Sequence, residues 1–175
     1  MSNIYLSSDP HFGHENILKF TKSDGSPLRV FEDAVHMNEY MVMQHNRVVQ
    51  PNDKWYCLGD LAMHKKFLPI LNRMNGEKIL IRGNHDTEMA SEYLKYFKDV
   101  RGSHQLEGLL LTHIPIHPES LSRWKANVHG HLHSNRVMLD NKIDPRYYSV
   151  CMEQLDDYTP VSIEQVKKNV LEALS

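Results

Sequence analysis

The chain has 175 residues, enough for one domain with a real core and cramped for two, and its 22 acidic and 20 basic residues nearly cancel. That balance argues against wholesale nucleic-acid binding, although a small phosphate compound can still enter a local site. No apolar run reaches the length of a membrane span. Only two cysteines occur, Cys57 and Cys151, both in strand-like surroundings, which fits a reduced, cytoplasmic protein and two buried structural thiols.

In chain order, the first expected strand begins at Ile4 in "IYLSSDPH" and delivers Asp9 and His11. Neither a charged n-region nor an apolar h-region precedes it, so a signal peptide is not expected. Pro10 marks the strand end, so Asp9 and His11 should converge at its C-terminal edge. A helix is expected within Phe31 to Val48, with Ala34, Met37, Met41 and Val48 on one face; Pro51-Asn52-Asp53 then breaks the chain. The run "WYCLGD" delivers Asp60, and "KILIRGNHD" delivers Asn84 and His85 behind Gly83, which permits a sharp exit. Shorter helices are expected over Lys65 to Met74 and Glu88 to Phe97. The run "LLLTH" delivers His113, and the polar loop 114–126, "IPIHPESLSRWKA", is of the kind that shapes a binding site. "ANVHGHLH" and "RYYSVCM" read as strands with turns. Ser162 begins a last helix as N-cap, with Gln165 completing a capping box and Ile163, Val166, Val170 and Leu174 forming a stripe.

Short, continuous apolar runs suit strands buried on both faces, and alternation with helices followed by strands predicts α/β layers with stacked sheets and helices outside. Twelve scattered histidines are the unusual count, and several fall where these runs end. D-x-H or H-x-H alone is a weak signal. Five segments that end, in order, in imidazole, carboxylate or amide groups are a metal-site pattern, because these are the usual ligands of first-row divalent ions and sites form outside the carboxyl ends of strands.

The ordered series Asp9/His11, Gly59-Asp60, Gly83-Asn84-His85-Asp86, His113 and Gly130-His131-x-His133 resembles the signature of the calcineurin-like metallophosphoesterases. The opening "SSDPHFGHENIL" is similar to a small bacterial and phage branch of that family. The resemblance implies a single domain over residues 1–175, folded as a four-layer α/β/β/α sandwich with its metal site at the C-terminal ends of the strands. It implies two divalent metal ions, with Mn²⁺ the first expectation and Fe²⁺, Zn²⁺ or Ni²⁺ as alternatives. Asp9, His11 and His133 would bind one ion, Asn84, His113 and His131 the other, and Asp60 would bridge them. A hydroxide between the metals would attack phosphorus in line, and His85 would protonate the leaving oxygen. Met63 stands where protein-phosphatase members place an Asp that orients the histidine, so a phosphoprotein phosphatase is not expected; Asp86 is the candidate substitute.

The expected activity is phosphate-ester hydrolysis, with phosphodiesters favoured over nucleotide monoesters because a compact chain leaves an open site. A nucleotide or short nucleic acid is the expected partner; a non-catalytic scaffold of the same fold is the reading from another class. His14 reads equally as a helix-start residue or a phosphate contact. Arg123 is a candidate phosphate contact in the long loop, where Trp124 could stack on a base but is expected to pack in the core. Arg82 is expected in a structural ion pair, His129 in a structural role, and His36, His45, His64 and His104 at the surface.

Overall fold

The computed structural model describes residues 2–175. Its elements are β1 (Ile4–Ser7), α1 (Ala34–Val48), β2 (Lys54–Cys57), β3 (Glu77–Ile81), α2 (Ala90–Tyr93), β4 (Asp99–Arg101), β5 (Ser103–Leu106), β6 (Leu109–Thr112), β7 (Ala126–His129), β8 (Met138–Leu139), β9 (Lys142–Ile143), β10 (Tyr147–Ser149), β11 (Val161–Ser162) and α3 (Ile163–Leu174). They form a mixed α/β structure. The first sheet runs β11-β1-β2-β3-β4, parallel except for β11; the second runs β10-β7-β6-β5, parallel except for β5. Strands β8 and β9 pair as a separate hairpin.

Register decides where the site lies. Ser7 pairs with Cys57 and Cys57 with Leu80, so the loops that leave β1, β2 and β3 emerge side by side. Leu111 and Val128 align in the same way in the second sheet. The sheets are joined at these ends, where Ser8 N donates to Val150 O at 2.8 Å and Met152 N donates to Ser8 O at 3.1 Å.

Alternation along the strands separates two cores. Trp55, Cys57 and Leu80 face α1, which contributes Met37 and Met41, and the segment carrying Leu68 and Leu71. Leu6, Tyr56, Leu58, Ile79 and Ile81 face the opposite way, onto Leu109, Leu111, Ala126 and Val128 of the second sheet and Ile163, Val166 and Val170 of α3. Helix α3 therefore packs into the core shared by the sheets. The outer face of the second sheet is covered by loop 114–125, not by an α-helix. Asn127 accepts from Ile116 N at 3.0 Å and Tyr147 Oη donates to Ile116 O at 2.8 Å, which pins that loop down.

Local expectations hold in part. Asp33 caps α1 by accepting from His36 N at 2.7 Å. Lys65–Arg73 forms a 3-10 helix around Pro69, which has no N–H for an α-helical bond. Only Ala90–Tyr93 is helical within the expected 88–97 segment. Ser162 Oγ accepts from Gln165 N at 3.2 Å, but Gln165 turns its own amide to Asn169 Oδ1 at 2.7 Å, so the capping box is half made. His45 is a correction: it is 1% exposed, edge-on to Trp55 at 4.7 Å, with Nε2 on Asn75 O at 2.9 Å. Trp124 is a second correction, since it belongs to neither core. Among the described residues, no helix is long and apolar enough to cross a membrane.

Candidate metal centre

The loops leaving the strands place their side chains through unusual backbone. Asp9, His11, Asp60, His131 and His133 all have positive φ, between 51° and 71°. For non-glycine residues this costs roughly 1–3 kcal/mol each and persists only where the surroundings impose it. Here they do. Asp9 N donates to Gly59 O at 2.9 Å and His11 N to Asp60 O at 3.1 Å, continuing the β1–β2 pairing past the strands. The Asp86 carboxylate accepts from the amides of Asp60 (2.9 Å), Leu61 (2.9 Å) and Gly83 (2.8 Å). Asp86 thus clamps the loop that carries Asp60 and does not orient His85. At Gly130 a Cβ would sit 2.0 Å from Ser8 Oγ and 2.5 Å from Asp9 Oδ2, which explains the glycine before His131.

The ligand-type atoms fall into two groups, Asp9/His11/His133 and Asp60/His113/His131, each within 4.8 Å. His11 Nε2 lies 3.7 Å from Asp9 Oδ1, and His133 Nε2 lies 4.0 Å from the same oxygen. Asp60 Oδ2 is 3.8 Å from His11 Nε2 and 3.3 Å from His113 Nε2, so one oxygen faces both groups. Its other oxygen, Oδ1, accepts from His85 N at 2.8 Å. Asn84 joins the second group, with Oδ1 at 2.9 Å from His113 Nε2.

These residues fit a pair of cations. Asp9 Oδ1 and both ring nitrogens of His11 are buried without a hydrogen-bond partner, which is costly unless something else satisfies them. His113 places Nδ1 on Leu58 O at 2.7 Å, so in the neutral ring the Nε2 lone pair faces the Asn84 oxygen, and a cation reconciles the two. His133 turns Nδ1 to Glu153 Oε1 at 3.0 Å, the carboxylate–imidazole arrangement typical of metal-binding histidines.

Glu153 and Arg29 are parts of the site that spacing did not reveal. The Arg29 side chain is 0% exposed; its Nε donates to Glu153 Oε1 at 2.8 Å, its Nη2 to Asp9 O at 2.5 Å and its Nη1 to Pro10 O at 2.9 Å. One buried guanidinium thus braces both the strained Asp9–Pro10 turn and the carboxylate behind His133. Arg29 follows no apolar run, so nothing local marked it; Glu153 does end one, Val150-Cys151-Met152, and that placement was a signal not weighed.

Burial would raise the Asp9 carboxyl, but His11, His113 and His133 outweigh it and hold the group well below the usual carboxylate range. His133 is raised because Glu153 outweighs burial, and Glu153 is lowered because Arg29 and His133 do the same for it. His14 is pulled down to about 4 by burial and by His11 beside it.

The other expected residues are placed as follows. His85 is exposed, its ring 5.6 Å from that of His11. His14 starts the segment as expected, with Nδ1 accepting from Ile17 N at 3.2 Å, and its ring stands 5.6 Å from His11. Arg123 is exposed at the end of the 3-10 segment Pro118–Arg123, outside both groups. Among the described residues Arg82 forms no ion pair; it donates to the carbonyls of Asp86 and Glu88. His129 is 1% exposed and outside the centre, with Nδ1 on Gly130 O at 2.7 Å.

No protein-family model matches the chain. It is 32% identical over 173 residues to the uncharacterized protein MJ1445 of Methanocaldococcus jannaschii, an alignment covering 96% of this chain and 91% of that protein. Among solved structures, a protein of unknown function from Aquifex aeolicus, AQ665, is 27% identical and superposes with a TM-score of 0.72 over 96% of this chain and 99% of that one. An archaeal phosphodiesterase is more distant, 18% identical with a TM-score of 0.48 over 85% of this chain and 82% of that one.

Proposed function

We propose, for a chain that belongs to the family of the uncharacterized M. jannaschii protein MJ1445, that it is a single-domain, cytoplasmic, dinuclear metal-dependent phosphoesterase that favours phosphodiesters. The observation that carries this reading is the pair of ligand groups sharing one face of Asp60. The fold is then a metallophosphoesterase-type pair of stacked sheets, with α1 outside the first and loop 114–125 in place of an outer α-helix on the second.

Asp9, His11 and His133 would hold one ion; Asn84, His113 and His131 the other; Asp60, which faces both groups, would serve both. Manganese is the favoured metal, with Fe²⁺, Zn²⁺ or Ni²⁺ compatible with the mixed nitrogen and oxygen ligands. When bound, two such ions supply an activated water and neutralise charge on the phosphate oxygens. The protein's own groups do the rest. Asn84 contributes a neutral oxygen, which limits negative charge at its site. The His85 amide fixes Asp60 through Oδ1, leaving its imidazole free to give a proton to the leaving oxygen. His14, held by its cap to Ile17 N, is a phosphate contact at the rim.

Manganese-loaded protein assayed on matched chromogenic mono- and diesters tests this. Two ions per chain, hydrolysis of the diester, and, with a dinucleotide whose alkoxide leaving oxygen needs a proton, a loss of about 10²–10⁴ in kcat for His85→Ala at unchanged metal content are expected. Two bound ions with no hydrolysis of either ester would remove the enzymatic reading and leave a scaffold. Faster cleavage of the monoester would move the assignment to a nucleotide phosphomonoesterase.

A further inference from the structure

Two adjoining cavities, about 470 and 630 Å³, lie on the outer side of the second sheet. Both are bounded by Ser103, Thr112 and Ile116, so they form one trough. It begins at Asn84 and His113, at the edge of the metal centre, and runs to Trp124. It exists because a pinned loop, and not an α-helix, covers this face of the sheet.

The chemistry of the walls narrows the occupant. Arg82 borders the trough, but its guanidinium is committed to the carbonyls of Asp86 and Glu88 and lies over Tyr93 at 5.7 Å. His104 also borders it, with its ring stacked on Tyr56 at 5.4 Å and its Nδ1 taken by Arg101 at 2.5 Å. A second anionic group would meet no free cation among these residues. What remains is neutral and polar: the hydroxyls of Ser103 and Ser120, the Gln105 amide, and the half-buried indole of Trp124. Hydroxyl and amide partners beside an aromatic face suit a sugar carrying a flat base.

Position narrows the role. The trough opens from the Asn84/His113 side, whereas His85 is not among its lining residues and stands beside His11. If the leaving oxygen is the one that meets His85, the trough takes the group that stays on phosphorus. A phosphate with organic groups on both sides is a diester.

Resting on the phosphoesterase reading, we infer that the trough binds the retained nucleoside of a phosphodiester, with its base against Trp124. Water oxygen bonds to phosphorus and gives up a proton to solvent, the bond from phosphorus to the leaving oxygen breaks, and that oxygen takes a proton from His85, which solvent then reprotonates. A nucleoside monophosphate is left in the trough.

The test compares thymidine 5′-(p-nitrophenyl phosphate) with methyl p-nitrophenyl phosphate, in which the same bond breaks but nothing fills the trough. Wild-type protein should prefer the thymidine ester in kcat/KM, and Trp124→Leu should reduce that preference about tenfold, the order of one lost base–aromatic stack. Trp124→Phe should restore most of it. A preference that survives Trp124→Leu, or none in the wild type, overturns the inference. Binding is read separately through tryptophan emission, since Trp55 is 0% exposed. In zinc-loaded protein, thymidine 5′-monophosphate should quench the wild type and leave the residual Trp55 emission of Trp124→Leu unchanged, while inorganic phosphate quenches neither. Absence of turnover with this quench present sinks the phosphoesterase reading and keeps the trough; absence of the quench sinks the trough even where turnover is seen.

Discussion

Glu153 receives His133 Nδ1 at 3.0 Å and Arg29 Nε at 2.8 Å on the same oxygen. This single contact separates the two halves of the centre, because the Nδ1 atom of His113 has only the Leu58 carbonyl behind it. A carboxylate behind an imidazole fixes its tautomer and raises its basicity, and losing such a partner weakens metal binding about 10–100-fold. Glu153→Gln should therefore weaken the Asp9/His11/His133 site by that factor and spare the Asp60/His113/His131 site. Calorimetric manganese titration would show one of two phases displaced; equal displacement of both would contradict the role given to Glu153. At this scale the ligand types were legible, because carboxylate, amide and imidazole announce their chemistry wherever they stand. Arg29 was not, since its effect comes wholly from what it touches, and Glu153, though a carboxylate at the end of an apolar run, was passed over because it does not stand in a D-x-H or H-x-H pair.

Helix α1 turns one histidine inward. Burial pulls His45 down to about 4, so it stays neutral in the folded chain over a range where the unfolded chain takes up a proton near pH 6.5. The unfolded state then binds more protons, and the sign follows: stability from this residue is complete above about pH 6.5 and is lost as pH falls toward 4, by roughly 3 kcal/mol. His45→Gln retains a donor for Asn75 O without titrating. The fall in urea-unfolding free energy between pH 6.5 and 4.5 should shrink by about 2 kcal/mol in this variant; an unchanged slope would show that His45 is not the group responsible. The strands were legible because continuous apolar runs require burial on both faces. His45 was misread as a surface residue because a histidine on a helix gives no local sign of which face is covered. The 3-10 geometry of Lys65–Arg73 was missed because Pro69 was not weighed against the apolar spacing.

At the scale of the whole molecule, the centre draws Asp9, Asp60 and Asn84 from loops of the first sheet and His113, His131 and His133 from loops of the second. Ions that bind only this assembled form stabilise it. At a hundredfold excess over Kd the gain is about 2.7 kcal/mol, or roughly 5–10 °C in Tm at this chain length. Calorimetric melts of manganese-loaded protein with and without EDTA should differ by that amount, and coincident melts would mean that the sheets share no ion. The sequence by itself determined the order of ligand-type residues and their place at strand ends, because hydrophobic runs and coordination chemistry are properties of short segments. The ordered motifs, through the resemblance they carry, already implied which ligands group together and that Asp60 faces both; only the tertiary structure decided how the chain brings them there. His131 and His133 diverge through left-handed backbone to separate groups, Asp60 presents one oxygen to both, Arg29 and Glu153 close behind Asp9 and His133, and a loop leaves the trough beside them. Those outcomes depend on strand register and on contacts between residues more than a hundred positions apart, such as Arg29 with Glu153, and no local pattern in a chain encodes them.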